Sequence, residues 1–104
     1  MTEQNERPEG VYLTSLDTGS AIDLETKSRH YWIEYLDGNR VRISGHPQWC
    51  PRPVLARLHG SRGGSSGFEE GYIGRGMRLV FERLDDHIPV TTSEITDIRM
   101  VHLN

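Results

Sequence analysis

Cysteine occurs once in this chain of 104 residues, at Cys50. A single thiol excludes an intrachain disulfide, and with it the stapled scaffold of small secreted proteins. Lysine is equally scarce: Lys27 stands alone and every other basic chain is arginine, a bias that a GC-rich coding sequence produces. There is no excess of positive charge either, with 12 Lys and Arg against 15 Asp and Glu and a net charge of −3. Proteins that grip a phosphate backbone usually carry a basic excess or stripe, so the balance counts against nucleic acid. No apolar run approaches the roughly 18–20 residues of a membrane span. Long amphipathic helices and internal repeats are also missing. Residues 1–10 are rich in Glu, Asn and Pro and lack the basic start and apolar middle of a secretory signal. They read as a disordered tail on a cytoplasmic protein, with one domain over residues 11–104.

What remains is β-character broken by turns. Val11 to Leu16 and Ala21 to Leu24 are extended candidates on either side of Asp17-Thr18-Gly19, and read as a hairpin. The clearest element is Tyr31 to Leu36, then Asp37-Gly38-Asn39, then Arg40 to Ser44, because Asp-Gly between two β-rich runs favours a tight turn. Register decides which face each side chain takes. A three-residue loop puts Ile33 and Tyr35 with Val41 and Ile43 on one apolar face. The other face then carries Trp32, Glu34, Arg40 and Arg42. Pro47, Pro51 and Pro53 make residues 45–53 irregular. Val54 to Leu58 is open between strand and helical turn. The Gly/Ser-rich tract Gly60 to Gly67 sits in a flexible loop expected over 59–76. Met77 to Leu84, Pro89 to Thr92 and Glu94 to Leu103 are further strands, the last with a bulge because its apolar residues break alternation. The fold class is therefore all-β. We expect a small single-domain barrel or sandwich of about five to seven mostly antiparallel strands, of SH3-like size.

Chemical signatures are sparse. His46, Cys50 and His59, with His30, His87 or His102 as a fourth ligand, are the conceivable metal set, but the paired-cysteine clamp of zinc sites is absent; neither metal nor cofactor is expected. Gly60 to Gly67 has no lysine for a phosphate-binding loop. Aromatic and Arg side chains crowd the central hairpin, as at protein interfaces or on base-stacking surfaces of single-strand binders.

Leu16-Asp17-Thr18-Gly19-Ser20 resembles the Asp-Thr-Gly-Ser motif of retroviral-type aspartic proteases, and Tyr72-Ile73-Gly74-Arg75 resembles the apolar-apolar-Gly-Arg stretch found later in that family. That likeness implies a homodimer with Asp17 as catalytic residue, since two carboxylates must share a proton. Ser15 departs from the family pattern, which is apolar there, and a strand rather than a helix is expected after Arg75. The stretches Tyr12-Leu13-Thr14, Thr18-Gly19-Ser20, Ile22-Asp23-Leu24 and Thr91-Thr92-Ser93 together resemble small proteins of actinobacteria and their bacteriophages. This second likeness implies a small all-β fold and brings no activity with it. The leading expectation is a non-catalytic module that binds another protein, or itself, through Trp32, Glu34, Arg40 and Arg42. Arg62, Phe68 and Arg75 form an adaptable rim. The alternatives are the aspartic protease and a single-stranded nucleic-acid binder.

Overall fold

A computed structural model describes residues 4–6, 8–64 and 67–102, with the side chains of 4–6 and 102 left aside. Among the described residues the chain is all-β: ten strands and one short 3-10 turn. The strands are β1 (Gln4–Glu6), β2 (Gly10–Tyr12), β3 (Ala21–Thr26), β4 (His30–Asp37), β5 (Arg40–Ser44), β6 (Val54–Gly63), β7 (Gly67–Glu70), β8 (Tyr72–Gly74), β9 (Arg78–Arg83) and β10 (Pro89–His102). Every pairing is antiparallel. Eight strands make one sheet in the order β1-β10-β3-β4-β5-β6-β7, and β9 pairs with both β6 and β10. The path β10-β3-β4-β5-β6-β9 thus returns on itself, a six-stranded ring that is unevenly closed. β2 and β8 form a separate ribbon.

Uneven closure follows from register. β10 faces β9 over Pro89–Glu94 and β3 over Ile95–Val101, with register shifts at Thr91/Glu94 and Ile95/Asp97. Each extra residue in a bulge exchanges the two faces of a strand. Val90 and Thr92, then Ile95, then Ile98 and Met100 are all buried, and their spacing crosses parity twice. The broken alternation of this segment is therefore a bulged strand, and Pro89–Thr92 belongs to it rather than standing apart. β6 behaves alike: Ala56 and Leu58 point inward, the register shifts between Leu58 and Gly60, and Ser61 points inward after it.

The central hairpin has the expected register, with Ile33 opposite Ile43 and Tyr35 opposite Val41. Its tip is tighter than a three-residue loop. Asp37 pairs with Arg40 across Gly38-Asn39, and the register shift before Asp37 absorbs the odd residue. Gly38 takes φ +53, which glycine adopts at little cost, and the Tyr35 hydroxyl donates to the Gly38 carbonyl at 3.0 Å.

Several expectations need correction. Val11 to Leu16 does not pair with Ala21 to Leu24: β2 pairs with β8, and Leu13–Ser15 forms the 3-10 turn. Val54 to Leu58 is strand, the first half of β6. Residues 59–76 contain the end of β6, all of β7 and all of β8, where a flexible loop was expected. Ser65 and Ser66 of that stretch lie outside the described residues. The stretch is tied down by Gly60, whose Cβ would stand 2.1 Å from the Glu69 carbonyl oxygen, so only glycine lets β7 approach so closely. Residues 1–10, expected as a tail, contribute β1 against β10 and the start of β2.

The interior is filled from all around the ring by Ile22, Leu24, Ile33, Ile43, Leu58, Leu79, Phe81 and Ile98, each fully buried. Tyr31 and Phe81 meet edge-on across it with ring centroids 6.2 Å apart. Val11, Leu13 and Ile73 join the same core from the β2–β8 region. Ser61 fastens that ribbon to β6 by donating to the Tyr72 carbonyl and accepting from the Gly74 amide. Replacing Phe81 by Ala should cost about 3–5 kcal/mol in urea unfolding, the usual range for emptying a buried aromatic site. Trp32→Ala, on the outside, should cost less than about 1 kcal/mol.

Candidate functional site

Alternation along β3, β4, β5 and β6 sends Ile22, Ile33 and Ile43 inward and their neighbours outward. Cross-strand pairing then sets the outer face row by row. Arg99, Asp23, Trp32 and Ser44 make one row across β10, β3, β4 and β5. Glu34, Arg42 and Leu55 make part of the next, across β4, β5 and β6. Trp32 is 45% exposed and Leu55 46% exposed, among the largest apolar exposures of the described residues.

The charges on this face are mostly satisfied by one another. Arg42 donates to Glu34 at 3.0 Å, Arg40 lies 3.1 Å from Asp37, and Arg99 donates to Asp23 at 2.8 Å. His30 reaches the other Asp23 oxygen at 3.3 Å. Trp32, Glu34, Arg40 and Arg42 are thus brought onto one side of two adjacent strands. Leu55 was missed because its segment did not declare itself a strand. Only the pairing of β5 with β6 places it opposite Arg42.

The rim residues separate. Arg62 and Phe68 are directly opposed in the β6–β7 ladder, and the guanidinium lies over the ring at 5.6 Å from its centroid. Arg75 lies elsewhere, paired with Glu9 at 3.1 Å.

The conceivable metal residues also separate. His46 and Cys50 face each other across an isolated bridge, but His46 Nδ1 accepts from the Gln48 and Trp49 amides at 3.0 and 3.2 Å. Burial pushes the Cys50 thiol up, away from the thiolate a metal requires. His59 instead donates to Glu82 at 2.9 Å. Among the described residues no group of three His, Cys, Asp or Glu side chains has the geometry of a metal site. The His102 side chain lies outside the described residues.

Asp17 is exposed in the turn before β3. The Ser20 amide bonds its carbonyl at 3.0 Å, while Thr18 donates to the Leu36 carbonyl at 2.7 Å. These bonds hold the 17–20 turn against the end of β4. Asp17-Thr18-Gly19 is thus a turn, with Thr18 and Gly19 bonded to the end of β4.

One constellation was not foreseen. Glu82, on β9, accepts His59 at one oxygen and His87 at the other, 2.9 and 2.8 Å away. His87 has φ +58, an uncommon conformation for a side-chain-bearing residue. The sequence shows five scattered histidines but nothing that marks Glu82, because the bulge at Leu58/Gly60 decides how His59 stands beside β9.

Comparison with family models, with curated proteins and with solved structures finds no match. The reading of function therefore rests on the geometry.

Hydrogen bonds from His59, then His87, hold the Glu82 carboxyl below its ordinary value of 4.5. A depressed folded-state value means the group stabilises the fold above the unfolded pKa and loses that effect as pH falls through the folded one. Acidifying from neutrality to below pH 4.5 should therefore lower the thermal midpoint of the native protein more steeply than that of Glu82→Gln, measured by circular dichroism.

Proposed function

We propose that this domain is a non-catalytic protein-binding module, and that its contact surface is the outer face of β4, β5 and the start of β6. One observation carries the reading: Trp32 and Leu55 are both nearly half exposed on one face, with the Glu34–Arg42 pair between them. Exposed Trp beside Arg is the combination over-represented among residues that dominate interface energy, and a paired charge between two apolar side chains can be buried with less desolvation cost than a lone one.

Charge pairing favours protein over nucleic acid as the partner. Arg40, Arg42 and Arg99 each have a carboxylate of this face beside them, and among the described residues only Arg57, opposite Arg40, is left without one in the part of the face built by β10, β3, β4, β5 and the start of β6. Already paired charges suit a protein partner, since they neither repel it nor have to be stripped singly of water. No helix among the described residues is long and apolar enough to cross a membrane.

The test is affinity capture followed by identification, run beside light scattering to register self-association. Trp32→Ala should weaken the interaction by at least about 2 kcal/mol, as central aromatic anchors do. Arg42→Ala should add a smaller loss, with the fold unchanged. If the double variant retained every interaction of the native protein, this surface would be the wrong one.

A further inference from the structure

A second feature lies where β6 changes partner. Its first half is flanked by β5 and its second half by β7, and between the two the edge of β6 is met only by turns. Asn39 accepts the Leu58 amide from one side at 2.7 Å, and the Gly71 amide reaches the His59 carbonyl from the other at 2.8 Å. The gap is a groove of about 920 Å³, within the size range of small-molecule sites.

Three properties of the groove restrict what it can hold. Its exposed apolar surface comes mainly from Phe68 and Val80, while Leu13 and Leu58 are buried beneath it. Arg62 supplies a guanidinium that lies over Phe68 and has no carboxylate partner among the described residues. Arg40, Arg42, Arg75, Arg83 and Arg99 each have one, and Arg62 differs from the other described arginines without one, Arg29, Arg52, Arg57 and Arg78, in lying over an aromatic ring. Glu70, on the same side of β7 as Phe68, also lines the groove and has no partner there.

We propose that this groove binds a small planar aromatic carboxylate. The ring would lie against Phe68 and Val80, and the carboxylate would accept two parallel N–H bonds from Arg62, a fork that matches it in shape. The contact with Phe68 already places the guanidinium at the groove, which reduces the ordering cost of binding. Glu70 sets the charge limit. A dianionic phosphate or polyphosphate would meet its carboxylate across the groove, whereas a singly charged acid keeps clear, and an amino or hydroxyl group at its far end has Glu70 as acceptor. The site is separate from the Trp32 face, so each can be tested without the other.

Indole-3-acetate, tryptamine and indole serve as probes in amide chemical-shift titrations of the full chain. Indole-3-acetate should saturate with a dissociation constant below about 1 mM and move the amides of Gly60, Glu70, Gly71 and Val80. Tryptamine and indole, which lack the carboxylate, should bind at least about tenfold more weakly, the effect of losing a charge-assisted bond. Arg62→Gln and Phe68→Ala, at exposed positions, should each weaken indole-3-acetate by a similar factor while retaining the native amide spectrum. Trp32→Ala should leave binding within about twofold. The proposal is overturned if indole-3-acetate moves none of these amides at about 5 mM, a weak-binding limit even for a fragment. It is equally overturned if tryptamine binds as well, or if folded Arg62→Gln and Phe68→Ala bind normally.

Discussion

Two long strands, β6 and β10, each hydrogen-bond to three neighbours, and a strand can do this only if it changes partners along its length. The change is accomplished by bulges, at Leu58/Gly60 in β6 and at Thr91/Glu94 and Ile95/Asp97 in β10. An inserted residue turns every later side chain to the opposite face. Without that reversal, β10 could not bury Val90, Ile95 and Ile98 in the same interior. The hydrophobic core thus depends on residues that do not alternate, and the ring closes because they do not.

The same constraint creates both surfaces. Before its bulge β6 lies flush with β5, so Leu55 joins the face built by Trp32, Glu34 and Arg42. At the bulge β6 leaves β5 and takes up β7, and the groove is the space between these two partners. The Glu82 carboxylate also belongs to this junction, since His59 reaches it from the bulge and His87 from the turn leading into β10. A charge pattern accompanies the geometry. On the Trp32 face Arg42 and Arg99 lie beside the carboxylates of their cross-strand opposites, Glu34 and Asp23, and Arg40 beside Asp37. Arg62 at the groove has an aromatic ring in place of a carboxylate.

The legible parts of the sequence were those governed by neighbours in the chain. Residues 31–44 alternate around an Asp-Gly turn, which was enough to name the inward set and to expose Trp32, Glu34, Arg40 and Arg42 together. The turn at Asp17-Thr18-Gly19 could be read as a turn, but not its anchoring to Leu36. Gly60 to Gly67 read as loop because glycine is common in loops. In the fold, Gly60 is required for a close strand crossing, a demand set by Glu69 rather than by anything near Gly60 in β6.

Composition and alternation alone determined that this chain is a single all-β unit with Ile33, Tyr35, Val41 and Ile43 inside, because burial of a β-strand face is a local, two-residue rhythm. Tertiary structure alone decided that Val11 pairs with Ile73, that Leu55 stands beside Arg42, and that Glu82 collects two histidines. Those contacts join residues far apart in the chain through bulged strands, and a bulge breaks the rhythm by which a sequence announces its faces.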